Sequence, residues 1–409
     1  MSTDLNLVPS EGQLTGRTSW RDRFGGLGGN ARQYGIFAAL VVIIVLFYFM
    51  TGGRLLYPDN VAALVNQNAY VMVLAIGMVM VIIAGHIDLS VGSVVATVGG
   101  VAAISLHDWG VTWWMAVLIA LGLGALIGAW QGFWVAFVGI PAFIVTLAGM
   151  LIFRGLALAI VTESIPVLDR TFNGIMANSL PNFLGRTGDA DNLTLLIGAL
   201  LIVATVYAQV RARQSLRKHN LAVEPVGIFA IKIALAAVGI GIVTLLLSRS
   251  TGGSPIALVI CAVLIVAYTF VMGRTVFGRH IYAIGGNRQA ARLSGVNTRS
   301  VDFWIFVNMG VLAGLTGVIV TSRLGTALAA AGDSFELDAI AACFIGGAAV
   351  TGGIGRISGA IVGALIMGVL NQGLSIMGVD PSWTKVIKGL VLLLAVAYDL
   401  VSKRRAGVR

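Results

Sequence analysis

The residues whose types and spacing most clearly suggest an activity lie in a basic segment, residues 273–300. This segment has no acidic residue and five arginines, which are Arg274, Arg279, Arg288, Arg292 and Arg299. Asn287 can cap a short helix that Gly295 can end, which places Arg288 and Arg292 four residues apart on one helical face. The pattern predicts a docking surface for another macromolecule.

Other chemistry is missing from the sequence. None of the five lysines follows a glycine, whereas a phosphate-binding P-loop places its lysine directly after one. The four histidines and two cysteines are scattered and have no metal-ligand spacing. No acid/base or nucleophile cluster is visible. We therefore predict no catalytic residue, no metal site and no cofactor on this chain, so any energy for transport would come from another subunit.

Composition indicates a membrane protein. Hydrophobic residues make up 58% of the chain and charged residues 11%, whereas soluble domains carry roughly 25% charged residues. We predict an all-α polytopic membrane protein of about ten to twelve transmembrane helices, because three of the apolar stretches are rich in glycine. The twelve candidate spans are 34–50, 61–84, 89–106, 113–137, 141–162, 192–208, 226–247, 256–272, 301–321, 336–352, 357–376 and 384–400.

The distribution of basic residues predicts the topology. With twelve spans and the N-terminus inside, eighteen Lys and Arg fall in cytoplasmic segments and five in outside segments. We therefore expect both termini and the basic segment in the cytoplasm. We expect the net charge of +10 to reflect this membrane topology rather than binding to nucleic acid. The predicted units are a tail at 1–33, a permease domain at 34–402 and a tail at 403–409. Residues 210–255 are interpreted as an inserted helical hairpin, formed by spans 226–247 and 256–272.

Acidic residues and glycine-rich turns give two further predictions. All seventeen acids fall in loops, tails or the terminal turns of spans, which predicts no ionisable relay at membrane depth and argues against a proton-driven carrier. Residues 83–93 and 350–359 are both tight turns rich in glycine. They indicate either a two-fold internal repeat or only the shared chemistry of helical turns.

Polar residues near or within the spans are the remaining candidates. The side chains of Asp88 and Ser90, in a turn with Gly92, are predicted to cap the third span. A path for a polar substrate needs hydrogen-bonding groups inside the helix bundle, and polar groups in lipid face the protein interior. The candidates for that path are Asn68, Gln131, Arg154, Asn308 and Asn371, each of which could instead serve only to join helices.

Several segments resemble one family. Residues 289–295 resemble the Glu-Ala-Ala-x-x-x-Gly signature of permeases in ABC importers, with Gln289 in place of the glutamate. Residues 87–93, 141–150, 277–287 and 336–342 are similar to the ribose/xylose-type sugar permeases of that superfamily. His86 stands where those permeases have an acid. The resemblance covers about residues 34–402, and the hairpin favours the xylose branch.

The resemblance implies a function and a set of partners. The chain would be the membrane-spanning permease of an importer for a monosaccharide, D-xylose or a related pentose, in a bacterial inner membrane. ATP and magnesium would bind a separate ATPase subunit, an external sugar-binding protein would deliver the sugar, and two permeases would form a homodimer. The ATPase docking residues it implies are Asn287, Arg288, Gln289, Ala290, Ala291, Arg292, Leu293 and Gly295. The alternatives are a stand-alone carrier driven by an ion gradient and a membrane enzyme acting on a lipid-linked substrate.

Overall fold

The computed structural model describes residues 28–221 and 223–405, which fold almost entirely into helices. The helices are α1 Gly28–Met50, α2 Pro58–Ile83, α3 Val91–His107, α4 Trp113–Phe133, α5 Ala142–Ile160, α6 Arg170–Ala177, α7 Asn192–Lys218, α8 Val226–Ser248, α9 Ile256–Arg274, α10 Val276–Gly286, α11 Arg288–Leu293, α12 Thr298–Leu324, α13 Phe335–Ile345, α14 Ile357–Ile376 and α15 Pro381–Arg405. A 3₁₀ turn, Arg54–Leu56, precedes α2, and a π-helical turn, Trp134–Val138, extends α4.

Four two-residue strands complete the described structure. Strand β1 (Ile165–Pro166) pairs antiparallel with β4 (Thr326–Ala327), and β2 (Arg186–Thr187) pairs antiparallel with β3 (Ala190–Asp191). The first pair fastens the segment that follows α5 to the segment that follows α12. These strands connect loop segments by hydrogen bonds and form no layer of their own.

The helical composition confirms an all-α polytopic membrane protein. Within the described residues, eight helices are long and apolar enough to cross a membrane, namely α2, α4 with its π turn, α5, α7, α8, α9, α12 and α14. The apolar helices Gly35–Met50 and Val91–His107 are shorter. The predicted span 336–352 is wrong, because α13 ends at Ile345 and the chain then turns through Gly347, Gly352 and Gly353, all at positive φ. The next predicted span, 357–376, is a complete helix.

Loops between the helices gather on two opposite faces. We call the docking face the one formed by residues 84–87, 139–141, 275–297 and 346–356. There, the Gly353 N–H donates to the Ile83 carbonyl at 2.8 Å, which joins two of these loops. On the far face, the Thr251 N–H donates to the Asp59 carboxylate at 2.8 Å. The cytoplasmic position of the termini and of the basic segment stays a prediction, and residues 1–27 of the predicted N-terminal tail lie outside the described part.

The core lies among α2, α3, α12 and α14. Helix α12 approaches α4 so closely that a Cβ on Gly124 would lie 2.3 Å from the Gly310 carbonyl oxygen. Small residues allow such backbone contact between membrane helices. By contrast, α8 is exposed over its most apolar stretch, and α7 and α9 are nearly so. Their apolar outer surfaces fit a lipid environment.

Helix α8 packs along α7, where Gly198 lies directly against Thr244. The sequence instead paired the spans 226–247 and 256–272 as a hairpin, and that pairing is wrong, because α8 packs along α7 instead of α9. The seven residues between α7 and α8 leave the two helices free to lie side by side. That residues 210–255 are an insertion stays a prediction, as does the internal repeat.

Candidate functional site

The basic segment contains a short exposed helix at the position that the sequence predicts. In α11, Arg288–Leu293, the Asn287 side chain accepts a hydrogen bond from the Ala290 N–H at 2.9 Å. Gly295 follows the helix with a φ of 86°, a left-handed conformation that favours glycine. Ala291 is buried, whereas Leu293 is 83% exposed. Helix α11 therefore presents a leucine and polar side chains outward, which suits docking to a partner.

Helix α10 seats α11 on the ends of the membrane helices. The Thr275 side chain caps α10 by accepting from the Gly278 N–H at 3.2 Å. The Tyr282 hydroxyl donates to the Gly355 carbonyl at 2.8 Å. Burial raises the pKa of Tyr282, so its hydroxyl stays protonated and able to donate. The backbone of Gly285 touches the last turn of α2 at Ile83. Helix α10 is thereby fixed to the docking-face ends of α2 and α14.

Arg288, which the sequence groups with the residues that contact the partner, also binds within this chain, although its side chain is 44% exposed. Its Nη1 lies 2.5 Å from Asp302 Oδ2, and its Nη2 lies 3.2 Å from Asp302 Oδ1 and 2.9 Å from His86 Nε2. The Asp302 side chain is only 4% exposed. The sequence singled out His86 as a departure from the family pattern, but it gave no sign that His86 and Asp302 meet Arg288. Arg288 is 202 residues from His86 and 14 residues from Asp302 in the chain, so only the fold brings the three together.

A positively charged cavity of about 780 Å³ opens beside α11. One wall carries Arg288, Arg292, Arg299 and His86, and the other is the turn of residues 139–143 between α4 and α5. Within the described residues, Arg292 and Arg299 form no ion pair, whereas Arg288 is neutralised by Asp302. The docking face thus offers two free guanidinium groups, which can bind acidic side chains of a partner.

The turn before α3 is held by a buried polar chain. Asp88 accepts hydrogen bonds from the Ser90 N–H at 2.8 Å and from the Ser90 hydroxyl at 2.6 Å. Gln131 Nε2 donates to the Ser90 hydroxyl oxygen at 2.7 Å. Ser90 is the N-cap residue, yet its side chain makes no bond to an N–H of α3, so the capping prediction is wrong for its hydroxyl. That hydroxyl is already committed to Asp88 and Gln131.

The start of α3 meets the loop that leads into α13. A Cβ on Gly92 would lie 2.2 Å from the Gly332 carbonyl oxygen and 2.4 Å from Glu336 Oε2. Arg154, from α5, donates through Nη1 to the carbonyls of Ala329 and Ala331 at 2.8 and 2.9 Å. Arg154 therefore holds this loop in place, and Gly92 allows the two helix starts to touch.

Charged groups do lie deep in the bundle, contrary to the sequence interpretation. The Tyr70 hydroxyl donates to Asp338 Oδ2 at 2.6 Å, and Lys388 Nζ lies 3.0 Å from Asp338 Oδ1. Tyr70 is halfway along α2, which places it roughly 18 Å from either end at 1.5 Å per residue. Asp338 occupies the first turn of α13, as the sequence indicated, but α13 begins at mid-depth. The inference that no acidic residue lies at membrane depth is therefore wrong.

The remaining path candidates all join helices. Asn371 Nδ2 donates to Asn68 Oδ1 at 3.3 Å, and Asn68 Nδ2 donates to the Leu64 carbonyl at 2.8 Å. Asn308 accepts a hydrogen bond from the Tyr268 hydroxyl. The structure thus brings Asn68 and Asn371 together and gives Gln131, Arg154 and Asn308 separate partners. A role of these five residues in a sugar path stays a prediction.

Comparison with known proteins decides the family. Residues 60–396 match the family described as "Branched-chain amino acid transport system / permease component". The chain belongs to this permease family. The match covers every helix from the greater part of α2 to most of α15 and includes the docking face. A permease component is a transport subunit, which confirms the prediction that the chain is not an enzyme.

Curated relatives of this permease extend over nearly its whole length. It is 40% identical to the xylose transport system permease protein XylH of Escherichia coli K12 over 97% of this chain and 99% of the relative. It is 37% identical to XylH of Haemophilus influenzae, over 92% and 98%. The ribose import permease protein RbsC of E. coli K12 is 34% identical, over 83% and 85%. No solved structure matches the permease.

Proposed function

We propose that this permease is the membrane-spanning subunit of an ABC importer for D-xylose or a related pentose in a bacterial inner membrane. Two relatives, named as xylose permeases, are similar over nearly their full length. The ribose permease is similar over a shorter share of the chain and at lower identity. These likenesses support a pentose, and they favour xylose over ribose. An external sugar-binding protein would deliver the sugar, and two copies of the permease would form the path.

The observation that carries the proposal is the exposed helix α11. Leu293 is 83% exposed beside the unpaired Arg292, although an apolar side chain gains from burial. An ATP-binding subunit that covers α11 would bury this leucine and pair the arginine. ATP and magnesium would bind that subunit, and the docking face would be cytoplasmic. A stand-alone carrier would leave α11 without a function.

The proposal is tested by replacing Leu293 with alanine. Because the side chain contacts solvent, the fold should be unchanged, while ATPase subunit recovered with the purified permease should fall several-fold. Leu168→Ala is the matched control, since Leu168 is 81% exposed on the far face. Equal recovery of the ATPase subunit by the two variants would show that α11 is not the docking element.

Reconstitution with the neighbouring subunits tests the substrate. Proteoliposomes that contain the permease, its ATPase subunit and the external binding protein should accumulate labelled D-xylose only when ATP is supplied on the docking-face side. Ribose serves as the comparison sugar. Uptake by the permease alone, driven by an ion gradient, would instead establish the carrier alternative.

A further inference from the structure

The polar contacts of helix α11 with the membrane helices come from one residue. Among the described residues, every side-chain hydrogen bond from α11 to α12 or to the α2–α3 turn comes from Arg288. The guanidinium meets Asp302 through two of its nitrogens, at 2.5 and 3.2 Å, and its Nη2 also lies 3.4 Å from the Ala84 carbonyl oxygen. A two-pronged contact of this type fixes both the distance and the angle between the groups.

We propose that Arg288, Asp302 and His86 are positioning residues that transmit movement of the docking helix to the membrane helices. We call the three together the Arg288 pin. The inference rests on the proposed function, because it supposes that an ATPase subunit moves α11. Arg288 would act through Asp302 and would not contact the partner, whereas Arg292 and Leu293 would contact it.

Burial makes the pin stiff. The Asp302 carboxylate is 4% exposed, and a buried carboxylate that loses a guanidinium partner is strongly destabilised. Asp302 and Arg288 therefore move together. The side chain of Ala291, which is also buried, is apolar and small. A displacement of α11 that kept the Arg288–Asp302 contact would have to shift the first turn of α12.

Helix α12 carries such a shift into the bundle. Its Gly310 lies against the backbone of α4 at Gly124, and its Gly317 lies against the backbone of α3 at Gly99. Close-packed helices transmit displacement because no free space absorbs it. The start of α3 in turn touches the loop before α13 at Gly332. The pin therefore connects the docking face to the mid-depth junction of α3 and α13.

His86 joins the α2–α3 turn to the pin. Its Nε2 lies 2.9 Å from Arg288 Nη2 and 3.2 Å from Asp302 Oδ1. Arginine can only donate, so a hydrogen bond to Arg288 uses the lone pair of Nε2, whereas one to Asp302 uses a proton on that nitrogen. Either bond ties the turn that carries His86 to the contact between Arg288 and Asp302.

A double-mutant cycle tests transmission in the assembled transporter. The variants are Arg288→Gln, Asp302→Asn and the two together, each reconstituted with the ATPase subunit and the sugar-binding protein. For Arg288→Gln, we expect normal recovery of the ATPase subunit but about tenfold less sugar taken up per ATP hydrolysed. The double variant, which leaves no unpaired buried charge, should be as stable as the parent but equally uncoupled.

The control variant separates this idea from the proposed function. Arg292→Gln, one turn further along α11, should reduce recovery of the ATPase subunit itself. If the parent permease recovers no ATPase subunit, the proposed function fails. If the subunit is recovered and Arg288→Gln couples as well as the parent, the pin is overturned and docking survives.

The ratio of uptake to ATP hydrolysis also tests His86. His86→Gln should lower the sugar taken up per ATP hydrolysed several-fold, while recovery of the ATPase subunit stays at the parental level. His280→Gln, on α10 of the same face, should keep the parental ratio. A parental ratio in His86→Gln would overturn the role of His86.

Discussion

Gly285 of α10 lies so close to Ile83 of α2 that a Cβ on Gly285 would come 1.7 Å from the Ile83 carbonyl oxygen. The same added atom would lie 2.5 Å from the backbone nitrogen of Gly353. Three backbone segments therefore converge at Gly285, namely the end of α2, the turn before α14 and the helix that supports α11. This contact explains how the short helix α11 keeps a fixed position against the membrane helices.

The first prediction concerns this contact. Gly285→Ala should push α10 away from α2, because backbone atoms cannot yield as a flexible side chain can. We expect a lower thermal unfolding temperature in detergent and loss of ATP-driven uptake. Gly286→Ala is the control, since a Cβ there would meet no atom within 4 Å. Equal unfolding temperatures for the two variants would contradict the packing described above.

The second prediction concerns the junction of α3 and α13. Gly92→Ala would place a methyl group 2.2 Å from the Gly332 carbonyl oxygen, which should separate the two helix starts. Uptake should fall strongly while the ATPase subunit is still recovered, because the junction is far from α11. In Gly122→Ala the new Cβ meets nothing within 4 Å, so this α4 variant should transport normally. Normal uptake by Gly92→Ala would show that the junction tolerates separation.

The third prediction concerns the buried pair of Asp338 and Lys388. Asp338→Asn leaves the Lys388 ammonium without its counterion, which costs about 3 kcal/mol or more for a buried pair. The unfolding temperature in detergent should fall by several degrees. Asp333→Asn breaks the ion pair between Asp333 and Lys385, in which the side chains are 61% and 63% exposed. Its unfolding temperature should barely change, and a fall as large as that of Asp338→Asn would contradict the difference in burial.

The fourth prediction concerns the end of the docking helix. Gly295→Ala forces alanine into a left-handed conformation, φ 86°, and should disturb the chain just after α11. With Arg292→Ala added, uptake should be lost while insertion into the membrane is unchanged. Gly273→Ala with Arg279→Ala is the matched control in the same basic segment, because a Cβ on Gly273 has free space. Normal uptake by the first pair would remove α11 from the mechanism.

Several features were predictable from the sequence for local reasons. Helix α11 forms where Asn287 and Gly295 indicated, since caps and left-handed turns depend on residues next to one another in the chain. The apolar stretches likewise predicted most spans. The stretch 336–352 failed because the helix ends at Ile345 and the chain turns at Gly347, at positive φ, and hydropathy does not report backbone conformation.

The site was predictable only in part. The sequence predicted the short helix and placed Arg288 and Arg292 on one of its faces, but helical spacing says nothing of what lies beside that face. The inward contact of Arg288 depends on Asp302 and His86, which reach it from two other helices. For Ser90, position at the helix start suggested a cap, yet Asp88 and Gln131 compete for its hydroxyl.

The sequence by itself determined the class of protein, the family and the position of the short helix α11, because composition, short-range caps and motifs are properties of neighbouring residues. The tertiary structure decided how deep each polar group lies in the bundle and which groups it contacts. The sequence and the structure both place Asp338 in the first turn of a helix. Only the structure shows that this turn contacts Tyr70 at the middle of α2. A helix can begin inside the bundle wherever its free N–H groups are enclosed by protein, so a terminal position along the chain does not fix a position in the membrane.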